Sequence, residues 1–324
     1  MAIFRKVRYT DRNESGIDER LSDRMSGCTL CPRMCEADRE NGKTGFCGET
    51  GEIRAARAAL HMWEEPCISG TKGSGAVFFS GCGLRCCFCQ NHDIAIGSRG
   101  RAVSVERLGE IFLELKEKGA ANINLVTGAH YVPQIIEALD MAWRKGLDIP
   151  VVYNSSGYEK TETLKLLEGY VDIYLPDLKY LDPELAQKFS YAPDYVQAAK
   201  AAIREMVRQT GKCEFGEDGY IRKGTIVRHL ILPGHTGNSI KALRYLHETY
   251  GEDIYISIMN QYTPVRKFVE FKELNRKVTK REYEKVLDAA VDMGIQNGFI
   301  QEGETASESF IPDFDYEGVE KNTP

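Results

Sequence analysis

The pattern of apolar and polar positions predicts a regular alternation of strands and helices between about residues 75 and 298. Runs of apolar and β-branched residues predict six strands, at 76–80, 123–127, 150–154, 171–175, 225–232 and 255–259. Apolar positions spaced by three and four predict six helices, near 104–118, 132–145, 161–168, 195–209, 238–249 and 280–293. Strands that alternate with helices favour a parallel sheet with right-handed crossovers. We therefore expect an α/β fold, an open (βα)6 partial barrel of the TIM type.

The same pattern divides the chain into three parts. Residues 1–70 hold five of the ten cysteines and little apolar periodicity, so we expect a small cysteine-rich N-terminal segment there. Residues 71–300 form the predicted barrel, and residues 301–324 form an acidic tail with seven acidic side chains and one lysine. A tail of this composition is typically solvated. Either end segment could serve as a lid over the barrel.

Composition and charge narrow the function classes. The net charge of −6 leaves no basic footprint for a nucleic acid. No apolar run reaches the roughly 20 residues that a membrane-spanning helix needs, and the N-terminus lacks the apolar core of a signal peptide. Grouped cysteines in a chain of 324 residues without an export signal favour metal binding over disulfides, and hence a reducing cytoplasm.

One group of cysteines directly follows the first predicted strand. Cys82, Cys86 and Cys89 have the spacing C-x3-C-x2-C, with Phe88 just before the third cysteine. In barrels of parallel strands the chemistry gathers at the carboxyl ends of the strands, so this loop marks the site. Three soft thiolates suit a [4Fe-4S] cluster and leave its fourth iron without a protein ligand. Structural zinc usually binds two separated pairs of cysteines instead.

A second group of cysteines lies in the N-terminal segment. Cys28, Cys31, Cys35 and Cys47 supply four thiolates, enough for tetrahedral zinc or for a second iron–sulfur cluster. A structural metal would fold a segment that is poor in apolar residues. A second cluster would pass electrons. Both interpretations stay open at this point.

These cysteines and the segments 61–66, 153–158, 174–180 and 228–234 resemble the radical S-adenosylmethionine (SAM) superfamily. Within it, the sequence is similar to the pyruvate formate-lyase activating enzyme-like proteins of the PflX group, over roughly residues 28–300. The resemblance implies the same partial barrel, a [4Fe-4S] cluster, and SAM chelated to the open iron. It also implies that the reduced cluster cleaves SAM to a 5′-deoxyadenosyl radical, which abstracts a hydrogen atom from the substrate.

The resemblance implies contacts with SAM where the predicted strands end. The segment Asp177-Leu178-Lys179 is similar to one in activating enzymes of glycyl radical enzymes, where the lysine meets the SAM carboxylate. Thr127 and Gly128 stand where many radical SAM proteins carry a Gly-Gly-Glu-Pro-like segment, although the glutamate is absent here. The cofactor-binding residues predicted in this way are Phe88, Thr127, Gly128, Asn154, Ser155, Ser156, Asp177, Lys179, Arg228 and Gln261.

Several of these polar residues have more than one interpretation. Arg228 lies midway along an apolar strand and needs an anion, either the SAM carboxylate or an internal carboxylate. Asp177 and Lys179 bind a ligand or form a plain internal ion pair. His130 and Tyr131 follow the second strand and are the candidate catalytic residues, for proton donation or substrate contact. His130 could cap the next helix instead.

Three functions remain open. A radical SAM activase would take a hydrogen atom from a backbone glycine of a partner glycyl radical enzyme, and it needs an open barrel mouth. A radical SAM enzyme for a small molecule or a peptide side chain would need a lid over that mouth. An iron–sulfur electron carrier would have no substrate. We favour the activase, an anaerobic cytoplasmic oxidoreductase that receives electrons from a donor such as flavodoxin or ferredoxin.

Overall fold

A computed structural model describes residues 25–301 and 312–321 of the chain. Within these residues ten strands form one sheet, namely β1 Ile53–His61, β2 Ser74–Phe79, β3 Arg101–Val103, β4 Ile123–Val126, β5 Val151–Ser155, β6 Ile173–Pro176, β7 Glu214–Phe215, β8 Ile221–Leu230, β9 Tyr255–Met259 and β10 Gly298–Ile300. The α-helices wholly within these residues are α1 Pro66–Ser69, α2 His92–Ala95, α3 Val105–Glu117, α4 Val132–Arg144, α5 Thr161–Leu166, α6 Pro183–Ser190, α7 Tyr195–Thr210, α8 Thr236–Tyr250 and α9 Lys280–Asp292. Parts of the predicted N-terminal segment (1–24) and tail (302–311 and 322–324) lie outside the described residues.

The sheet is a largely parallel, open barrel. Seven strands, β2, β4, β5, β6, β8, β9 and β10, lie side by side in that order and run parallel. β1 pairs antiparallel with β2, β3 with β1, and β7 with β8. The path from β10 to β3 leaves an edge strand at each end, so the described sheet does not close. The predicted α/β partial barrel is confirmed, and all six predicted strands and six predicted helices are present.

Burial explains why the central strands are continuous apolar runs in the sequence. Every residue of β2, β4 and β6 is buried, because helices cover the outer face of a parallel sheet and the barrel interior covers the other. On α3, Leu108, Phe112 and Leu115 turn inward to a core cluster. α9 begins at the predicted capping box of Thr279 and Glu282. No described helix combines the length and the apolar composition needed to cross a bilayer.

The sequence pattern does not predict β1, β3, β7 or β10. β3, β7 and β10 have only two or three residues each, too few for a periodic signal. β1 has the sequence IRAARAALH, in which alanines and arginines replace the β-branched residues that usually identify a strand. Its strand conformation depends on pairing with β2 and β3, so it is set by tertiary contacts.

Residues 312–321 of the tail pack along β1. The amide nitrogen of Ala58 donates to the carbonyl oxygen of Glu317 at 2.7 Å, and that of Tyr316 donates to the carbonyl of Ala56 at 3.0 Å. The ring of Phe314 is 8% exposed and packs in a core cluster. Acidic side chains of the tail pair with arginines of β1 and β3. The expectation of a solvated tail is therefore wrong for these residues, because their backbone and aromatic side chains bind the sheet.

Candidate metal and cofactor site

The carboxyl ends of the parallel strands surround a cavity of about 300 Å³ inside the barrel. Small-molecule sites typically have volumes from about this value upward. Twelve of the predicted site residues line the cavity, namely Cys82, Cys86, Phe88, Cys89, Thr127, Asn154, Ser155, Ser156, Asp177, Lys179, Arg228 and Gln261. The structure thus brings the cysteine loop after β2 together with side chains of β5 and β8 and of the loops that follow β4, β5, β6 and β9.

Hydrogen bonds hold the cysteine loop against its neighbours. The amide nitrogen of Cys87 donates to the carbonyl oxygen of Phe189 at 2.8 Å, and Ser190 Oγ donates to Cys86 Sγ at 3.0 Å. The side chain of Cys87 is buried in a core cluster. The loop therefore turns three of its thiols to the cavity and its fourth to the protein core.

The three cavity thiols fit an iron–sulfur cluster. Burial, and after it the neighbouring Cys86, raise the pKa of Cys89 to about 12. Without a metal such thiols stay protonated, whereas a bound metal deprotonates its ligands. The described residues include no group of three or more His, Cys, Asp or Glu side chains placed around a single metal ion. A cuboidal cluster makes a different demand, since each cysteine binds a separate iron.

Asp177 and Lys179 form an ion pair beside the cysteine loop. Their side chains are 21% and 15% exposed, and Lys179 Nζ donates to Asp177 Oδ2. Burial lowers the pKa of Lys179, but Asp177 and the thiol of Cys86 raise it by more, so the net pKa lies above the usual value. The hydroxyl of Tyr195 fixes this turn, because it accepts from the amide nitrogen of Lys179 at 2.9 Å. A protonated ammonium group thus lies in the same cavity as the three cysteines.

Arg228 binds two carboxylates at the floor of the cavity. Its Nε donates to Glu65 Oε1 at 2.8 Å and its Nη2 to Glu65 Oε2 at 2.6 Å, and Nη2 also contacts Glu64 Oε2. Glu64 Oε1 accepts from Asn124 Nδ2 at 2.8 Å. Burial lowers the pKa of Arg228, but the two carboxylates raise it well above its usual value. Of the two predicted anions for Arg228, the structure contains the internal one.

Sequence reasoning missed Glu64 and Glu65 as site residues. Both line the cavity, and each side chain is 6% exposed where it meets Arg228. The sequence signal that could have identified them is a pair of adjacent glutamates directly before a proline. Pro66 begins α1 and cannot continue a strand, so the two glutamates lie at the end of an element. Two buried carboxylates with one guanidinium leave a surplus negative charge at the cavity floor.

Thr127 has a strained backbone where it lines the cavity. Its φ is +60°, a left-handed conformation that is unusual for a β-branched residue. The amide nitrogen of Thr127 donates to the carbonyl oxygen of Asn154 at 2.9 Å, which ties the ends of β4 and β5 together. Strain of this kind concentrates at ligand-binding positions. Ser155 also works locally, because its Oγ accepts from the amide nitrogen of Gly157 at 3.1 Å.

Three predicted site residues, Gly128, His130 and Tyr131, are not among those that line the cavity. His130 is 3% exposed and its Nε2 lies 2.7 Å from the carbonyl oxygen of Ser80, while Tyr131 is fully buried and its hydroxyl donates to Glu49 Oε2 at 3.2 Å. Burial is the main reason that the pKa of His130 falls to about 3. The structure therefore places His130 and Tyr131 in the packing between the barrel and the segment that precedes β1, away from the cavity.

The family assignment rests on this geometry together with the sequence. The model of the radical SAM superfamily matches residues 76–246, more than half of the chain, from β2 to α8. The chain belongs to the radical SAM superfamily. Radical SAM enzymes use a [4Fe-4S] cluster and SAM, so these two predicted cofactors are confirmed. The interpretation as an electron carrier without a substrate is not retained.

The chain is similar to several known proteins and solved structures. It is 28% identical over 295 residues to the uncharacterized protein MJ0674 of Methanocaldococcus jannaschii. The alignment covers 89% of this chain and 81% of that protein. Streptococcus suis SuiB bound to the precursor peptide SuiA matches 69% of this chain, with 14% identity and a TM-score of 0.46, and the chain spans only 47% of SuiB. A domain of pyruvate-formate lyase-activating enzyme from Bacteroides vulgatus matches 53% of this chain and 92% of that domain, with 14% identity and a TM-score of 0.38. Methylornithine synthase (PylB) matches 93% of this chain and 82% of its own, with 14% identity and a TM-score of 0.44.

The two ends of the cavity differ in their chemistry. At one end Cys82, Cys86 and Cys89 would hold the cluster, which with SAM supplies an electron and a 5′-deoxyadenosyl group for hydrogen-atom abstraction. At the other end the carboxylates that bind Arg228 form a polar floor. Lys179 keeps a positive charge beside the cysteine loop. The chain's own residues would thus bind and orient the cofactors and balance their charge.

Proposed function

We propose that this radical SAM enzyme is an activase of the PflX group, which abstracts a hydrogen atom from a backbone glycine of a partner glycyl radical enzyme. The observation that carries the proposal is the ion pair of Asp177 and Lys179 next to the cluster cysteines in one cavity. The Asp-Leu-Lys segment is similar to one in activating enzymes of glycyl radical enzymes. An electron donor such as flavodoxin or ferredoxin would reduce the cluster.

In this proposal, residues at the ends of different strands contact different parts of SAM. Lys179 pairs with the SAM carboxylate, and Asp177 keeps the ammonium group in place. The strained backbone at Thr127 presents a carbonyl to the methionine amino group, while Asn154 and the following serines contact the ribose. Phe88 and Gln261 lie at the same cavity and border the adenine. Gln261 is tied to the cysteine loop, because its carbonyl oxygen accepts from Gln90 Nε2 at 3.0 Å.

The proposal includes a reducing, cytoplasmic and anaerobic setting. All ten cysteines are free thiols in the structure. Thiols that ligate iron are oxidised readily when a cluster is exposed to oxygen. We therefore expect the protein to keep its cluster only when it is purified and handled without oxygen.

The activase proposal has a direct test. Anaerobically reconstituted protein is mixed with dithionite, SAM and a purified glycyl radical enzyme that contains deuterated glycine. We expect deuterium in the released 5′-deoxyadenosine and a glycyl radical signal by electron paramagnetic resonance. Release of 5′-deoxyadenosine without deuterium, and without a glycyl radical in any partner tested, would reject the activase role but leave SAM cleavage intact.

A second candidate substrate is a small molecule or a peptide side chain that carries a cationic group. The observation that favours it is the surplus carboxylate at the cavity floor, where Glu64 and Glu65 share the single guanidinium of Arg228. A buried negative charge attracts a cation because the low local dielectric strengthens the interaction. Primary amines should then stimulate release of 5′-deoxyadenosine more than their neutral acetamides, and Glu64→Gln should remove that difference. Equal rates with amine and acetamide would count against a cationic substrate.

A further inference from the structure

Four cysteine side chains converge outside the cavity, in the segment that precedes β1. Cys28, Cys31 and Cys47 are buried, and Cys35 is exposed. A side-chain carbon added at Gly45 would lie 3.3 Å from Cys47 Sγ and 3.4 Å from Cys35 Sγ, so these two sulfurs flank the same glycine. The backbone closes around the group, because the amide nitrogen of residue 36 donates to the carbonyl oxygen of Cys28 at 3.0 Å. No disulfide joins any of the four.

A buried arginine lies among these thiols. Arg39 is 1% exposed, and its Nη1 lies 3.6 Å from Cys28 Sγ and donates to the carbonyl oxygen of His130 at 2.7 Å. Its Nη2 donates to the carbonyl oxygen of Thr50 at 2.6 Å. Among the described residues, no carboxylate forms an ion pair with Arg39.

A guanidinium group stays charged, and a buried charge needs a counter-charge. The carbonyl oxygens around Arg39 are neutral, and so is a protonated thiol. Thiolates bound to a metal centre carry the missing negative charge, since metal ligation deprotonates cysteine. The position of Arg39 is therefore a second, independent sign of an anionic centre at these cysteines.

The segment has little regular secondary structure and only a small apolar core. Between residues 27 and 52 there is no helix or strand, and the apolar cluster of this region contains only Met25, Cys28 and Leu30. Met34 and Glu36 have φ values of +39° and +52°, a left-handed backbone that costs free energy in residues other than glycine. Small units without an adequate core commonly depend on a metal or on disulfides.

We propose that Cys28, Cys31, Cys35 and Cys47 bind a second metal centre, and that it is an iron–sulfur cluster rather than zinc. Tetrahedral zinc at a Zn–S distance of about 2.3 Å would bring its sulfurs within about 3.8 Å of one another. The described residues contain no three cysteines gathered in this way around one ion. The same holds for Cys82, Cys86 and Cys89, the predicted ligands of a cuboidal cluster. A cluster in which each cysteine binds a separate iron suits both groups.

This second centre lies directly against the loop of the first. The amide nitrogen of Cys82 donates to the carbonyl oxygen of Cys47 at 3.1 Å, and Arg33 Nε donates to the carbonyl oxygen of Gly83 at 2.9 Å. A side-chain carbon added at Gly83 would lie 3.5 Å from Cys31 Sγ. The centre therefore fastens the N-terminal segment onto the cluster loop and orders the backbone of Cys82. This inference does not depend on the identity of the substrate.

The test uses a full-length variant in which the first site is removed, with Cys82, Cys86 and Cys89 replaced by alanine. The protein is reconstituted anaerobically with iron, sulfide and zinc together, and metal and sulfide are then measured per chain. We expect about four irons with matching sulfide, and an iron–sulfur absorption band. The further substitutions Cys28→Ala and Cys47→Ala should remove both, whereas Cys213→Ala, at an isolated cysteine, should leave both unchanged.

Two results would overturn the proposal. A variant that is folded by circular dichroism but contains neither iron nor zinc has no second centre, and one zinc per chain without iron refutes the iron–sulfur assignment. If the triple variant fails to fold, the wild-type chain decides, because two clusters require about eight irons per chain and one cluster requires about four. A value near four in fully reconstituted wild-type protein, with Cys28→Ala leaving it unchanged, would also reject the second centre.

Discussion

Removal of the Arg228 guanidinium should destabilise the protein more than any other single change at the cavity floor. Arg228 is 13% exposed and pairs with Glu64 and Glu65, which are each 6% exposed. In Arg228→Met the stem is replaced by a side chain of similar length, but two buried carboxylates lose their cation. Breaking a buried ion pair from one side typically costs about 3–5 kcal/mol. We expect a loss of this size in the free energy of unfolding at pH 7.

The matched control is Glu64→Gln, which removes the surplus charge and keeps the ion pair of Arg228 with Glu65. The Oδ1 atom of Asn124 is buried without a hydrogen-bond partner, so a rotated Asn124 amide can accept from the new glutamine. This substitution should cost only about 1 kcal/mol, the scale of one neutral hydrogen bond. The difference between the two variants separates the loss of a counter-ion from a general disturbance of the floor.

The stability difference between wild type and Arg228→Met should depend on pH. Burial raises the pKa of Glu65, but the charge and hydrogen bonds of Arg228 lower it by more, so the folded pKa lies below the usual range. This contribution to stability is present above the unfolded pKa of about 4.3 and is lost as the pH falls through the folded pKa. Without Arg228, Glu65 loses the charge and the hydrogen bonds that lower its pKa most, so it protonates more easily. The gap between wild type and Arg228→Met should therefore narrow from pH 7 to pH 4.5.

Urea-induced unfolding of anaerobically purified protein, followed by circular dichroism at both pH values, measures this gap. The reasoning fails if Arg228→Met lies within about 1 kcal/mol of wild type at pH 7, or if the gap widens on acidification. Either result would mean that the carboxylates of the floor are solvated or already protonated.

Three further predictions concern the cofactors. Cys82→Ala should abolish release of 5′-deoxyadenosine and lower the iron content. Cys87→Ala, at the core cysteine of the same loop, should retain both. SAM cleavage that survives in Cys82→Ala would contradict the ligand assignment. Lys179→Met should weaken SAM binding by about 30-fold or more, because a lost buried charge pair costs about 2 kcal/mol or more. Lys179→Arg should recover part of the lost affinity. An unchanged Kd in equilibrium dialysis would show that the ammonium group contacts no SAM carboxylate. His130→Gln should lower the thermal midpoint but keep the KM for SAM, because His130 is neutral and lies outside the cavity; cleavage lost in folded His130→Gln protein would return this residue to the site.

Local patterns in the sequence determined the chemistry and the type of fold. The three cluster cysteines lie within eight consecutive positions after a buried strand, so their meeting depends only on a short loop. The capping box at Thr279 and the Asp177–Lys179 pair are equally local, each spanning two or three positions along the chain. Strand and helix periods were readable because parallel strands are buried on both faces and helices on one.

The tertiary structure alone decided which distant residues meet. Arg228 and Glu65 are 163 positions apart, and the contact between Arg57 and Asp315 spans 258 positions. Contacts of this kind depend on strand order and register, and a shift of one residue moves every side chain to the opposite face of a sheet. His130 and Tyr131 show the same limit, because the sequence places them at a strand mouth but cannot show that the turn after β4 directs them away from the cavity. The long periodic strands and helices were therefore encoded locally. The strand β1, the partners of buried charges and the path of the tail followed from packing.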